Sequence, residues 1–108
     1  MAFYNAEDRT PKEIVPGGTI RTFWGENTLL SLVDIEAGAE VPMHTHPHEQ
    51  SGIVLEGNLE LGVSGEVRVL KPGEMYIIPG NVEHYAKAVG SRARALDIFS
   101  PVREEFKY

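Results

Sequence analysis

The stretch GAEVPMHTHPHEQSGIVLEG, residues 38–57, carries three of the four histidines in this chain of 108 residues. In a β-strand, residues two positions apart point to the same face, so His44 and His46 can converge on one point. Gln50 has the same parity, and His84 follows on a later predicted strand. Three imidazoles and one amide oxygen can form a metal site with open coordination positions. A histidine-rich surface loop and hydrogen-bonded core histidines remain alternative interpretations of the spacing.

Short alternating apolar runs, separated by glycine and proline, surround this stretch on both sides. No segment of helical length shows apolar residues three and four positions apart. Roughly nine or ten strands at intervals of about 8–12 residues indicate an all-β protein, an antiparallel sandwich or barrel. After a first strand around 20–24, the predicted strands are 29–35, 41–46, 50–55, 59–63, 67–70, 75–78, 83–88 and 93–99.

Length and composition predict a single domain over residues 1–108, with a polar N-terminal arm at 1–18. The net charge of −6 disfavours nucleic acid as a partner, and no basic amphipathic stretch suggests a membrane surface. The absence of cysteine excludes disulfides and a thiol nucleophile. The N-terminus lacks the features of a signal peptide, and no apolar run approaches the ~20 residues of a membrane span, so we expect a cytoplasmic protein.

Two patterns in the chain resemble the cupin motifs, and together they cover about residues 29–99. The first motif matches Gly38, His44, His46, Gln50 and Gly57, and the second matches Gly73, Pro79 and His84. The resemblance implies a small double-stranded β-helix, a jelly-roll barrel of antiparallel strands with a metal in its mouth.

The chain departs from the cupin motifs at three positions, Gln50, Asn81 and Ala88. The departures at Asn81 and Ala88 affect the geometry of a turn and of a strand. Gln50 replaces the glutamate of most cupins, and a neutral amide leaves the full divalent charge on the metal. Such a site is a stronger Lewis acid and a better anchor for an anionic substrate. It is less suited to high-valent iron, which weakens the interpretation as a dioxygenase.

Two longer strings, residues 46–57 and 96–105, resemble the KdgF group of pectin-degradation proteins. Members of this group convert 4,5-unsaturated uronic acid monomers to open-chain 4-deoxy-5-keto uronates. The resemblance implies that one divalent transition metal (Ni, Zn, Fe, Mn or Co) is bound by four residues and that three more lie in the active site. The implied metal ligands are His44, His46, Gln50 and His84, and the implied active-site residues are Asp97, Phe99 and Arg103.

The residues of the last strand agree with this assignment, because Ala93, Ala95, Asp97 and Phe99 share one face. An aspartate inside a barrel is costly unless it is paired or functional. An aspartate at the barrel rim, a phenylalanine in the core and a surface arginine at Arg103 are the structural alternatives. Tyr76 and Tyr85 each suit a cavity wall or a core, and the sequence does not choose between these positions.

The leading function is therefore an enzyme that acts on a small anionic sugar acid. Two other classes stay open: a non-catalytic cupin that binds a metal or a sugar, and a metal-dependent oxygenase acting on a small organic substrate. A fold alone does not choose among them. We also expect a homodimer, because a barrel this small leaves sheet edges that a second copy can cover.

Overall fold

The computed structural model describes residues 2–108, and its regular structure is ten antiparallel strands and two short 3₁₀ turns. The turns are Ala6–Asp8 and Glu104–Phe106. The strands are β1 (Lys12–Val15), β2 (Gly18–Trp24), β3 (Leu29–Ile35), β4 (Glu40–His44), β5 (Glu49–Glu56), β6 (Leu59–Val63), β7 (Glu66–Leu70), β8 (Met75–Ile78), β9 (His84–Ala88) and β10 (Ala93–Ser100). In residues 2–108, no helix has the length and apolar character required to cross a bilayer.

The strands form two sheets, and the chain passes repeatedly from one to the other. The first sheet has the order β1-β2-β3-β10-β5-β8, and the second has the order β4-β9-β6-β7. After β3 the chain enters the second sheet with β4 and returns with β5. The β6-β7 hairpin then lies in the second sheet, β8 in the first, β9 in the second and β10 in the first. The prediction of an all-β cupin barrel is confirmed by this architecture.

Burial alternates along the central strands of the first sheet, as the sequence pattern predicts. In β3 and β10 every second residue is buried, from Leu29 to Ile35 and from Ala93 to Phe99. These side chains fill the space between the sheets, where burial of apolar area contributes about 25 cal/mol per Å². The buried apolar core includes Ile20, Val33, Ile35, Val54, Leu59, Leu61, Leu70, Ile78, Ala88, Ala93 and Ala95.

The structure differs from the sequence prediction at the N-terminal arm and around the histidines. Lys12–Val15 lies within the predicted arm, yet it pairs with β2 as an edge strand. The turn of Gly17, whose φ of 79° suits glycine, brings the two strands together. The predicted strand 41–46 ends at His44, and the chain bends at Pro47 and His48 before β5 begins.

The pairing of the strands places the predicted site residues next to one another. His44 at the end of β4 is paired with His84 at the start of β9. In the other sheet, Gln50 of β5 is paired with Phe99 of β10. Residues that are far apart in the sequence therefore meet at one end of the barrel.

Candidate metal centre

Three histidine side chains meet at this end of the barrel. His44, His46 and His84 each place a ring nitrogen so that these nitrogens lie within 4.8 Å of one another. His44 and His84 arrive from paired strands, whereas His46 lies in the loop after β4. The convergence of His44 and His46 therefore depends on the bend after β4 and not on strand parity alone.

Main-chain carbonyl groups orient all three imidazole rings. The Nδ1 atoms of His44 and His84 lie 2.8 Å from the carbonyl oxygens of Pro42 and Val82. The Nδ1 of His46 lies 3.1 Å from the carbonyl oxygen of His48. Because a carbonyl oxygen only accepts, each Nδ1 carries the hydrogen and donates it. The neutral ring then presents a bare Nε2 lone pair, which is the form that binds a metal.

The inward-facing atoms of the cluster are all acceptors. The Nε2 atoms of His46 and His84 lie 3.1 Å apart, and the Gln50 Oε1 lies 3.1 Å from the same His46 atom. Burial, with the nearby charges of Arg103 and His84, lowers the pKa of His46 to about 4. Burial likewise lowers the pKa of His84. Nitrogen and oxygen atoms whose lone pairs face one another at this distance can bind one cation between them. The donor set therefore fits a divalent transition metal.

Gln50 is buried on β5, with its amide oxygen toward His46. Its amide nitrogen donates to Asp97, which fixes the orientation of the side chain. Gln50 therefore reaches the cluster from the strand that follows the bend. The sequence predicted this proximity from shared parity, and the structure brings Gln50 to the histidines from β5, after the bend at Pro47 and His48.

Asp97 lies inside the barrel on β10, where neutral groups bind its carboxylate. The Tyr76 hydroxyl donates to the Asp97 Oδ1 at 2.5 Å, and the Gln50 amide also donates to this carboxylate. Burial raises the pKa of Asp97 to about 6, although these hydrogen bonds and the charge of Arg103 oppose the increase. A carboxyl group with such a pKa can hold or release a proton near neutral pH.

Phe99 and Arg103 lie beside the cluster. The Phe99 ring is buried and contacts the edge of His46, with ring centroids 5.6 Å apart. The Arg103 guanidinium lies over the Phe106 ring at 4.0 Å, and its Nε donates to Glu105 at 2.8 Å. In residues 2–108 no acceptor binds its two terminal nitrogens, so these remain available for a carboxylate.

One cavity connects these groups. Six of the seven predicted site residues line it, and His46 lies directly behind the wall. The lining combines polar and apolar residues. The polar residues are His44, Gln50, Tyr76, His84, Asp97 and Arg103, and the apolar residues include Ile20, Val33, Leu61, Ala86, Ala95, Phe99 and Phe106.

Sequence reasoning left the position of Tyr76 open and missed the contact that its hydroxyl makes. Tyr76 lines the cavity, whereas Tyr85 binds Glu60 outside it. Gly52 was also missed, although a glycine inside an apolar strand often marks a close approach of other groups. The only sequence signal for the contact between Arg103 and Glu105 is that the two residues lie close together in the chain, which is a weak indication.

Comparisons with known proteins agree with this architecture. The family model described as a cupin domain matches residues 31–99. The pectin degradation protein KdgF of Dickeya dadantii is 31% identical over 109 aligned positions, which cover 98% of this chain and 99% of that protein. An oxalate oxidase of Triticum aestivum is 32% identical over 69% of this chain, but the match spans only 39% of that protein.

Two solved structures are similar over nearly the whole chain. The structure of KdgF from Halomonas sp. has a TM-score of 0.92 at 27% identity and covers 99% of both chains. An RmlC-like cupin from Shewanella frigidimarina has the same TM-score at 28% identity, with 99% of this chain and 96% of that one covered.

Proposed function

Because the chain belongs to the cupin domain family, among its small members similar to KdgF, we propose that it acts in pectin breakdown. The proposed reaction converts 4,5-unsaturated uronic acid monomers to open-chain 4-deoxy-5-keto uronates and depends on a divalent metal. The observation that carries this proposal is that three histidines form one cluster, and that two of them, His44 and His84, border one cavity with a buried carboxyl group and an arginine.

In this proposal His44, His46, Gln50 and His84 hold the metal. When bound, the metal supplies Lewis acidity that stabilises negative charge developing on a substrate oxygen. The amide of Gln50 contributes no charge, so this site keeps more positive charge than one with a glutamate. An anionic sugar acid is the kind of substrate that such a site favours.

The other residues bind the substrate and move a proton. Arg103 pairs with the substrate carboxylate through its two terminal nitrogens. Opening of the hemiacetal gives an aldehyde at C1 and an enol across C4 and C5. Asp97 delivers a proton to C4 while the enol hydroxyl at C5 loses its proton, which produces the 5-ketone. Phe99 supplies a flat apolar wall against the unsaturated ring.

An ultraviolet time course on freshly prepared unsaturated uronate tests the proposal. We expect the protein to accelerate the loss of absorbance above the spontaneous rate, with chelation abolishing the effect and a divalent metal restoring it. His84→Ala should lose both metal and activity. The matched control His48→Ala removes a nearby histidine outside the cluster and should keep both. A metal-loaded protein without any acceleration would overturn the proposed function.

The similarity to an oxalate oxidase favours a second candidate, a metal-dependent oxidase acting on a small carboxylic acid. Oxygen consumption by the metal-loaded protein, measured with oxalate as the probe, separates the two candidates. Uptake that stops on chelation would support the oxidase. Absence of uptake, together with turnover of the uronate, would exclude it.

We further propose that two copies pair through the outer face of the first sheet. In two neighbouring rows there, most side chains are apolar and point away from the core, the polar members being Ser51 and Arg21. The rows contain Phe23, Leu30, Ile98 and Ile77, and then Leu32, Leu96, Ile53 and Met75. Met75 and Ile77 are 73% and 70% exposed, which is unusual for apolar residues on a flat sheet.

Sedimentation of surface variants tests the dimer. Leu30→Glu places a charge in the middle of the apolar rows and should give a monomer. Val67→Glu, at an exposed position on β7 in the second sheet, is the matched control and should leave the dimer intact. A Leu30→Glu variant that still sediments as a dimer would show that this face is not the interface.

A further inference from the structure

Tyr76, Gly52 and Asp97 form one row across three adjacent strands. Gly52 of β5 is paired with Asp97 of β10 on one side and with Tyr76 of β8 on the other. The hydrogen bond from the Tyr76 hydroxyl to the Asp97 Oδ1 therefore passes over Gly52. A Cβ atom at Gly52 would lie 2.5 Å from the Tyr76 hydroxyl oxygen and 2.6 Å from the Asp97 Oδ1. The contact depends on the absence of a side chain at this position.

The Asp97 carboxylate has little else to fix its orientation. The terminal torsion of an aspartate is broad, so an unbound carboxylate rotates easily. In residues 2–108, no arginine or lysine side chain forms an ion pair with it, and its second donor is the Gln50 amide. A hydroxyl on a packed aromatic ring is a rigid donor, because the ring itself is held between the two sheets.

We propose that Tyr76 is the positioning residue for Asp97, an inference that rests on the proposed uronate reaction. Its hydroxyl binds Oδ1 and so leaves Oδ2 to exchange the proton with the substrate carbon. In that exchange the electron pair of the C4–C5 double bond takes the proton from Oδ2. The C5 hydroxyl releases its own proton to water and becomes the ketone, and Asp97 takes up a proton from water before the next turnover, so the step is balanced without an oxidant or a reductant.

Tyr76 itself transfers no proton. Burial and the adjacent carboxylate of Asp97 raise the pKa of the Tyr76 phenol, so it remains a hydrogen-bond donor at any working pH. Its contribution is geometric: the reacting oxygen is already aimed into the cavity when the substrate arrives. Preorganisation of this kind affects the rate of the chemical step more than the affinity for the substrate.

Tyr76→Phe keeps the ring and removes the hydroxyl. We expect kcat to fall about tenfold, with KM and metal content nearly unchanged. In an Asp97→Asn background the same substitution should cause no further loss, because the group that it positions is gone. The matched control is Tyr85→Phe, which removes a hydroxyl bound to Glu60 at 2.7 Å outside the cavity, and it should retain full activity.

Gly52→Ala tests the same contact without removing either partner. The added methyl group should separate the hydroxyl from Oδ1 and lower kcat as Tyr76→Phe does. Equal activity of both variants and the unmodified protein would overturn the proposal. A further loss from Tyr76→Phe in the Asp97→Asn background would also overturn it, because it would show a role independent of Asp97.

Crystal structures of Tyr76→Phe and Tyr85→Phe give a readout that does not require turnover. We expect the Asp97 carboxylate to rotate or to occupy two orientations in Tyr76→Phe and to keep its orientation in Tyr85→Phe. An unchanged carboxylate in Tyr76→Phe would exclude a positioning role. If the unmodified protein does not turn over the uronate, the proposed function fails, whereas this structural comparison still decides whether Tyr76 orients Asp97.

Discussion

The first sheet carries an aspartate on each face, and the two have opposite environments. Asp34 on the outer face accepts hydrogen bonds from Arg21, Arg92 and Arg94, at 2.8–3.2 Å. Asp97 on the inner face receives hydrogen bonds from a phenol and an amide, which carry no charge. Three guanidinium groups neutralise the first carboxylate, whereas the second is buried without a neutralising partner.

This difference separates Asp34, an acid with a structural role, from Asp97, the acid that we propose reacts. Hydrogen bonds from three guanidinium groups hold the Asp34 side chain in place on the outer face of the sheet. Neutral donors around Asp97 orient the carboxylate but leave burial as the dominant effect, so its pKa increases to about 6. The cost of burying Asp97 is consistent with a functional role, since such a group is rarely retained for stability alone.

The largest expected effect comes from removing the inner carboxylate. Asp97→Asn should lower the rate of uronate conversion by about 10²–10⁴-fold, the usual contribution of a general acid or base. Metal content should stay the same, because the histidine cluster is intact. Asp34→Asn is the control and should keep activity within about twofold. Full activity in the Asp97→Asn variant, measured by the ultraviolet assay, would contradict the assigned role.

The same substitution should stabilise the metal-free protein at neutral pH. The pKa of Asp97 is about 6 in the folded state, against an ordinary value of 3.8, so the folded state binds more protons between these values. Stability of the unmodified protein therefore falls as pH rises through this window. Asp97→Asn avoids that loss, so its free energy of unfolding should exceed that of the unmodified protein by about 3 kcal/mol at pH ~7.5, with no difference below pH ~4. Urea unfolding in the presence of a chelator measures the difference, and a gain independent of pH would contradict this explanation.

Removing the outer carboxylate should change the free energy of unfolding in the opposite direction and by a smaller amount. Asp34→Asn leaves three arginines close together without their shared anion, and its own side chain is 12% exposed. We expect a loss of about 1–2 kcal/mol in the free energy of unfolding, since the arginines stay partly solvated. High salt should reduce this loss. An Asp34→Asn protein as stable as the original would show that the arginine cluster contributes nothing to the sheet.

An exposed ion pair should give the smallest change in the free energy of unfolding. Glu66 and Arg68 lie 2.8 Å apart on β7, with side chains that are 67% and 72% exposed. Glu66→Gln should change the free energy of unfolding by less than about 0.5 kcal/mol, because water already screens both charges. A larger effect in the same urea titration would mean that burial is not what separates these three acids.

The sequence predicted the elements whose signal is local. Alternation from Leu29 to Ile35 and from Ala93 to Phe99 gave both the strands and their inner faces, because burial follows every second residue. The cupin motifs placed His44 and His84 together although 40 residues separate them in the sequence. Conserved spacing in a family carries information about pairing that periodicity in one chain does not.

Features that depend on register between distant strands were not predicted. The contact of Tyr76 with Asp97 requires both β8 and β10 to pair with β5 in one particular register. The arginines around Asp34 come from β2, β10 and the loop before β10, and nothing local links them. β1 was missed because it has only four residues and lies between Pro11 and Pro16.

The main-chain anchors of the three imidazoles have a consequence for how this barrel can evolve. The Nδ1 atoms of His44, His46 and His84 are each held by a backbone carbonyl two residues away. Substitutions of apolar lining residues such as Val33 and Leu61 can therefore alter the shape of the cavity without changing these backbone anchors. Under the proposed function, new substrate specificities can therefore arise by single replacements in this apolar part of the wall, because the backbone that orients the imidazoles is unaffected.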